Sequence, residues 1–113
     1  MCRGDIWLIN LDPTVGAEIK KTRPAIIVND DAIGILPLKI IVPITEWKDK
    51  YAVAPWMVRL SPDAKNGLDK PSAADTFQVR SLSQARFVQK LGKLSEESME
   101  EITKALALVL AIE

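Results

Sequence analysis

Two polar side chains stand beside apolar strands in a pattern suited to binding a phosphate group. Arg23 opens one apolar run, and Thr45 ends a second. A guanidinium at a strand entrance is a good phosphate ligand, because its planar fork of donors stays charged at any physiological pH. A hydroxyl on a neighbouring strand can complete such a site. The structural alternatives are an ion pair of Arg23 with Glu18 or Asp5, and a bond from Thr45 to its own backbone.

The chain contains no histidine, so proton transfer at this site must use other groups. That favours a substrate with its own nucleophile, such as RNA with its 2′-hydroxyl. Proximity of nucleophile and phosphate within one substrate then supplies much of the rate. Arginine is a poor base because its guanidinium stays protonated at any physiological pH. We therefore assign Glu18 as proton acceptor, and Arg23 as phosphate clamp and candidate proton donor to the leaving oxygen.

Composition favours a single cytoplasmic domain. The 113 residues suffice for one domain, spanning 1–113, around one hydrophobic core. The longest apolar stretch, residues 105–112, is far shorter than the ~20 residues of a membrane span, and no secretory signal pattern opens the chain. With one cysteine, no histidine and no tight carboxylate cluster, we expect neither a metal nor another cofactor.

The balance of charge is the main objection to a nucleic-acid substrate. Fifteen basic and fifteen acidic residues cancel, whereas nucleic-acid-binding domains are often strongly basic. The basic residues are grouped, however, with Lys20, Lys21 and Arg23 in and after one loop. A local basic patch still attracts phosphate. Lys20 and Lys21 are therefore candidate RNA ligands, with solvated surface charge as the alternative.

The hydrophobic pattern predicts a mainly β domain. Turn residues separate the apolar runs, and the predicted strands cover residues 5–11, 23–29, 39–45, 54–60, 74–80 and 87–94. Gly34 and Pro37 lie in the connection before the third strand, and residues 81–86 are predicted to form one helical turn. Continuous apolar character in the second and third strands indicates burial on both faces or closure into a barrel. We expect a small, partly open SH3-like barrel of five to seven strands.

The C-terminal segment is the clearest helix. Ser95 is a suitable N-cap, and glutamates follow it in the first turn, where the helix dipole favours negative charge. Apolar residues recur at three- and four-residue steps, at Met99, Ile102, Leu106 and Val109. Near its end the helix is apolar almost all round. We expect the domain body or a partner subunit to cover it.

Short motifs in a fixed order resemble those of the PemK/MazF toxins, the toxin halves of bacterial type II toxin–antitoxin pairs. They run the length of the chain, at residues 3–18 (RGDIWLINLDPTVGAE), 21–28 (KTRPAIIV), 42–45 (VPIT), 67–68 (GL), 78–80 (QVR) and 90–92 (KLG). Each motif alone is weak, but their order and spacing together are specific.

The resemblance implies a homodimer of SH3-like barrels that cuts single-stranded RNA without metal, leaving a 2′,3′-cyclic phosphate or 3′-phosphate and a 5′-hydroxyl. It also implies a cognate antitoxin that threads an extended segment along the RNA groove. By matching motifs, Arg23 and Thr45 fall on the catalytic arginine and threonine, and Glu18 falls on a loop glutamate implicated in activity. Gln78 and Arg80 fall on a glutamine–arginine pair near the RNA groove.

Two departures prevent transfer of the family's general base. Some members carry an acidic residue immediately before that glutamine, where this chain has Phe77, and a histidine in the first loop, which is absent here. Asp75 would share a strand face with Phe77 and is a conceivable substitute.

Trp47 and Trp56 are assigned to packing in preference to base stacking.

Two other functions compete with the nuclease interpretation. One is a CcdB-like toxin that binds DNA gyrase, which typically acts through a C-terminal end carrying tryptophan. This chain ends in ALVLAIE and lacks that residue. The other is an SH3-like barrel that binds RNA without cutting it.

Overall fold

The computed structural model describes residues 1–33 and 36–113. Within them the chain forms seven strands and one α-helix, namely β1 (Asp5–Asn10), β2 (Thr22–Ile27), β3 (Leu38–Glu46), β4 (Met57–Leu60), β5 (Ser72–Asp75), β6 (Arg80–Ser83), β7 (Phe87–Lys93) and α1 (Glu96–Val109). The antiparallel sheet has the order β4-β5-β3-β2-β1-β7, with β6 paired to β3. The predicted mainly β fold with a terminal helix is confirmed. Gly34, in a predicted connection, lies outside the described residues.

The central strands are buried on both faces, because their side chains enter two separate hydrophobic clusters. On β2, Ile26 belongs to the first cluster, while Ala25 and Ile27 belong to the second. On β3, Val42 belongs to the first cluster and Ile41 to the second. This alternation is why the second and third strands are apolar at nearly every position.

β3 changes partner along its length. It pairs with β2 and β6 first and then with β5, starting at Ile44 opposite Ala74. Both of these residues lie in the first cluster, together with Val58 and Leu60 from β4. Ile6 of β1 lies in the same cluster. Strands far apart in the sheet order thus enclose this cluster, as in a partly open barrel. Thr45 consequently lies inside β3, and its predicted position at the strand end is wrong by one residue.

The C-terminal helix covers the first cluster and begins as predicted. The Ser95 hydroxyl accepts a hydrogen bond from the Ser98 amide at 3.2 Å, which satisfies one of the free donors of the first turn. The residues packed on the cluster are Met99, Ile102, Ala105 and Leu106. The domain leaves the end of the helix uncovered, where Leu108, Leu110 and Ile112 are exposed. No helix in the described part of the chain is both long enough and apolar enough to cross a membrane.

The predicted strand at residues 74–80 is wrong, because a 3₁₀ turn at Thr76–Gln78 divides it into β5 and β6. Asp75 caps this turn, with its Oδ1 accepting from the Phe77 amide at 3.1 Å. The predicted helical turn at 81–86 is correspondingly shorter, at Gln84–Arg86. A further 3₁₀ helix, Asp49–Val53, precedes β4 and was not predicted.

Two motif glycines allow a loop to pack closely on β7. Gly67 has a φ of +70°, and a Cβ there would overlap the carbonyl group of Leu91. A Cβ at Gly92 would overlap the carbonyl oxygen of Lys65, which also accepts a hydrogen bond from the Lys93 amide at 2.9 Å. These motif positions therefore serve backbone packing.

Candidate active site

Arg23 and Thr45 lie at the same end of the β2–β3 ladder and on the same face of the sheet. The last pair at this end is Ala25 opposite Pro43, and each candidate lies two residues beyond it. Because side chains alternate along a strand, Arg23 shares the face of Ala25, and Thr45 shares that of Pro43. The structure thus brings the two predicted phosphate ligands to one edge of adjacent strands.

The Arg23 guanidinium has no carboxylate partner within residues 1–33 and 36–113. Its Nε donates to the Lys20 carbonyl at 3.3 Å, and its terminal nitrogens make no hydrogen bond in this part of the chain. Asp5 is paired instead with Lys90, at 3.6 Å. The alternative of an ion pair with Glu18 or Asp5 is therefore not what the structure shows.

The Thr45 hydroxyl is half-buried and unbonded. The backbone of Thr45 pairs with Ala73 of β5, which fixes the position of its side chain. In the described part of the chain no protein group accepts from or donates to the hydroxyl, so the alternative bond to its own backbone is absent. The hydroxyl therefore remains available to a ligand.

Two arginines fix the start of the loop between β1 and β2. Arg80 Nη1 donates to the Leu11 carbonyl at 3.3 Å. Arg86 Nη1 donates to the Asn10 carbonyl at 3.3 Å and also to that of Asp12. Arg86 was not among the predicted site residues. Nothing in the local sequence indicates its partners, which are 74 and 76 residues away.

Gln78 fastens the middle of the same loop. Its Oε1 accepts from the Ile19 amide at 2.6 Å, and its Nε2 donates to the Ala17 carbonyl at 3.2 Å. Nε2 also donates to Asp75 Oδ2 at 3.2 Å. Both polar atoms of the side chain are thus used within the protein. Gln78 holds the loop, and its predicted contact with RNA stays a prediction.

The loop carries the other candidates on its surface. The Glu18 Oε1 accepts from the Val15 amide at 2.6 Å, which restrains an otherwise exposed carboxylate. Lys20 and Lys21 are exposed, and Lys21 has a φ of 71°, a left-handed conformation that is unfavourable for lysine. Both ammonium groups lack an ion-pair partner among the described residues. The loop therefore presents two cations beside Arg23.

An open cavity of about 420 Å³ lies between this loop and the 3₁₀ turn. Its lining consists of Ala17, Glu18, Phe77, Gln78, Val79 and Arg80. The structure therefore brings Glu18, Gln78 and Arg80 to one cavity. Arg23 and Thr45 do not line this cavity, and the Lys20 carbonyl links Arg23 to the loop.

Asp75 has a structural role next to this cavity. Its side chain is buried, at 6% exposure of the residue. Burial raises the pKa of its carboxyl, and hydrogen bonds from the Phe77 amide and from Gln78 offset part of that rise. β5 ends at Asp75, so the expectation that it shares a strand face with Phe77 is wrong. A shielded carboxylate that already accepts from two donors is poorly placed to take a proton from a substrate.

Comparison with known proteins identifies the class to which this fold and site belong. The chain matches the family described as "PemK-like, MazF-like toxin of type II toxin-antitoxin system" over residues 2–110. It is also 32% identical over 114 residues to "Endoribonuclease MazF9" of Mycobacterium tuberculosis (strain ATCC 25618 / H37Rv), covering 96% of this chain and 94% of that protein. The chain therefore belongs to the PemK/MazF family of toxins, as its motifs predicted.

Solved structures share the fold. MazF from Deinococcus radiodurans aligns with a TM-score of 0.82 at 23% identity, over 98% of this chain and 96% of that one. An endoribonuclease in complex with its cognate antitoxin, from Mycobacterial species, aligns with a TM-score of 0.78 at 19% identity, over 100% and 97%. The predicted fold class is thereby confirmed.

Proposed function

We propose that this chain cleaves single-stranded RNA at the end of β2 and β3 that carries Arg23 and Thr45, by attack of a 2′-hydroxyl on the adjacent phosphate. The products are a 2′,3′-cyclic phosphate, or the 3′-phosphate formed from it, and a 5′-hydroxyl. By its family the chain is an endoribonuclease toxin of a toxin–antitoxin system. One observation carries the proposal, namely an unpaired guanidinium and an unbonded hydroxyl at one end and on one face of adjacent strands.

Arg23 acts as the phosphate clamp. Its terminal nitrogens bind the non-bridging oxygens, where negative charge grows as the phosphorane forms. A donor aimed at developing charge is worth roughly 3 kcal/mol of transition-state stabilisation. The Thr45 hydroxyl donates to the same phosphate. Both groups are held by strands, so little reorganisation is needed when the substrate binds.

Glu18 accepts the proton of the 2′-hydroxyl, and Arg23 supplies one to the leaving 5′-oxygen. The bond from the Val15 amide uses one carboxylate oxygen of Glu18 and leaves the other for the substrate. Gln78 bonds to both chain neighbours of Glu18, so it fixes where the carboxylate stands.

Glu18→Gln tests this role for the carboxylate. The substitution keeps an acceptor for the Val15 amide but removes the proton-accepting group. We expect a loss of about 100-fold or more in cleavage rate, because general base catalysis contributes about 10²–10⁴-fold. An unchanged rate and pH profile would assign the role to another group.

Lys20, Lys21 and Arg80 bind phosphates that flank the cut. All three are cations around the loop, and none forms an ion pair in the described part of the chain. Gln78 lines the cavity between the loop and the 3₁₀ turn, and it contacts the RNA there. Together these residues give the neutral protein a local basic path for the strand.

We further propose that the chain works as a homodimer in the cytoplasm. An apolar surface surrounds a cavity of about 240 Å³ and includes Ile33, Leu36, Leu38 and Ile40, all of them exposed. Patches of this kind mark interaction sites. Light scattering should give twice the chain's mass for the wild type and the single mass for Leu38→Asp. A wild-type monomer would contradict this proposal.

The second partner is a cognate antitoxin. An endoribonuclease with the same fold has been solved with its cognate antitoxin. For this chain we propose that an extended segment of the antitoxin occupies the RNA path and competes with the substrate. An antitoxin that binds the toxin and leaves RNA cleavage intact would contradict this mode of inhibition.

The decisive assay combines end chemistry with a charge-matched control. Purified protein is incubated with a long single-stranded RNA in excess EDTA, and the 5′ ends are mapped. We expect discrete cuts bearing 5′-hydroxyls from the wild type and from Arg59→Ala, whose guanidinium lies over the Trp47 ring at 5.0 Å, and no cuts from Arg23→Ala.

Three results would contradict the proposal or a part of it. Cuts that survive Arg23→Ala would show that Arg23 is not the phosphate clamp. Intact RNA together with gyrase inhibition would favour a CcdB-like toxin. Binding of RNA without cleavage would favour a non-catalytic barrel.

A further inference from the structure

An aromatic side chain stands exposed at the rim of the candidate site. Phe77 is 69% exposed and lines the same cavity as Glu18 and Arg80. Exposure of a phenyl ring to water is unfavourable, and no element of the described chain covers it. Besides Ala17 and Val79, its neighbours in the cavity are the Glu18 carboxylate, the Gln78 amide and the Arg80 guanidinium. These polar groups interrupt the apolar surface, whereas a protein-docking surface has a contiguous apolar core. An exposed ring beside an arginine is the arrangement on which unpaired bases stack.

The backbone that carries the ring is fixed by hydrogen bonds, and the ring contacts Trp56. The Phe77 amide donates to Asp75 Oδ1 at 3.1 Å, which fixes the turn. Thr76, fully buried, donates to the Trp56 carbonyl from its amide at 3.2 Å and from its hydroxyl at 2.6 Å. The Trp56 and Phe77 rings meet edge to face, with centroids 6.1 Å apart and planes at 65°. The backbone turn therefore has little conformational freedom to lose when a ligand stacks.

We propose that Phe77, supported by Trp56, stacks on one unpaired base of the RNA substrate and so sets the register in which the strand lies over the catalytic residues. The inference rests on the proposed endoribonuclease function and adds a positioning contact to it. Trp56 does pack, as the sequence favoured, but its partner is an aromatic ring open to solvent. Any base can stack on an aromatic ring. Phe77 therefore contributes to the affinity and the register of the bound RNA more than to selectivity among the bases.

Binding of RNAs that lack single bases tests the stacking contact. Once the cut is mapped, the scissile nucleotide is made 2′-deoxy to prevent cleavage, and one abasic site is moved along the strand. Affinities are measured for the wild type, Phe77→Leu and Phe77→Tyr. Val88→Ala is the control, because Val88 is an exposed apolar residue on β7, at 61%. Circular dichroism confirms that each variant is folded.

We expect Phe77→Leu to weaken binding of the intact RNA about 5- to 150-fold, the range for loss of one stacked base. Phe77→Tyr, which keeps the ring, and Val88→Ala should bind as the wild type does. With the base removed at one particular position, wild type and Phe77→Leu should bind equally well.

Two outcomes would overturn the stacking contact while leaving the nuclease intact. In both, the wild type still cuts RNA in an Arg23-dependent way. In the first, Phe77→Leu binds as tightly as the wild type. In the second, it weakens binding to every abasic RNA by the same factor. If the wild type cuts no RNA at all, the proposed function fails, and the stacking contact fails with it.

Discussion

Replacing Gln78 by leucine should release the loop that carries Glu18. The substitution keeps roughly the size of the side chain and removes its hydrogen bonds to the Ile19 amide, the Ala17 carbonyl and Asp75 Oδ2. With these bonds gone, the middle of the loop has no side-chain anchor from the 3₁₀ turn. We expect lower stability and, through displacement of Glu18, slower cleavage.

The magnitude follows from the surroundings of the three bonds. The two bonds to the loop lie near solvent, where water can replace the lost partner, so each contributes about 0.5–1 kcal/mol. The third reaches the buried Asp75 carboxylate, and a bond to a charged group is worth about 1.5–3 kcal/mol. Gln78→Leu should therefore lower the free energy of unfolding by about 2.5–5 kcal/mol at neutral pH.

Three measurements check this prediction. Urea unfolding gives the change in stability, and hydrogen exchange of the Ile19 amide reports directly on the loop. Single-turnover cleavage should fall by about 100-fold, because a displacement of roughly 1 Å of a catalytic group can cost that much. Gln89→Leu is the matched control, since the Gln89 side chain is exposed and makes no hydrogen bond in the described part of the chain. It should leave all three quantities unchanged.

One result would refute the loop-holding role of Gln78. If Gln78→Leu reduced RNA binding but left stability and Ile19 exchange at wild-type values, the side chain would act by touching RNA alone.

Three further substitutions follow from the structure. Burial raises the pKa of Asp75 above its ordinary 3.8, so the folded state holds this proton more tightly. The resulting stability is fully present below pH 3.8 and is lost as the pH rises through the folded pKa; Asp75→Asn should lack this decline in urea unfolding. Lys21→Gly removes a cation at a φ of 71° that glycine tolerates. A plot of log affinity for single-stranded RNA against log salt concentration should become less steep by about 0.7. The stability of the protein should not decrease. Gly92→Ala should cost about 1–3 kcal/mol in urea unfolding, because its Cβ would overlap the Lys65 carbonyl.

Each of these has a clear contrary result. An identical pH dependence in Asp75→Asn would mean that this carboxyl does not bind its proton more tightly in the folded state. An unchanged salt slope in Lys21→Gly would show that Lys21 is a solvated surface charge that does not bind a phosphate. A Gly92→Ala variant as stable as the wild type would show that the loop can move away from β7.

The sequence predicted the fold well wherever apolar runs dominate. The runs that became β1, β2, β3 and β7 were identified, because burial on one or both faces leaves a direct record in the hydrophobic pattern. The interruption at Thr76–Gln78 was missed, because the run from 74 to 80 has the composition of a single strand. Asp75 was the available signal in the sequence. Aspartate is a common capping residue, because its side chain accepts a hydrogen bond from a backbone amide two residues further along the chain.

The candidate site was predicted as a set of residue types, but its connections were not. Arg23 and Thr45 were proposed from their places beside apolar strands and from family motifs, and the register puts both at the same end and on the same face of adjacent strands. The bonds from Gln78 to the loop span 59 and 61 residues, a separation that no local pattern encodes. Prediction of such a contact requires the order in which the strands pair.

The claim that Arg23 and Thr45 act on one phosphate is tested most directly by a double-mutant cycle. Single-turnover cleavage rates are measured for the wild type, Arg23→Ala, Thr45→Val and the double variant. Two groups that stabilise the same transition state should be strongly coupled. If each single substitution lowers the cleavage rate about 100-fold, the double substitution should lower it by far less than the product of the two factors. Losses that multiply fully, or a Thr45→Val variant as fast as the wild type, would contradict the shared site.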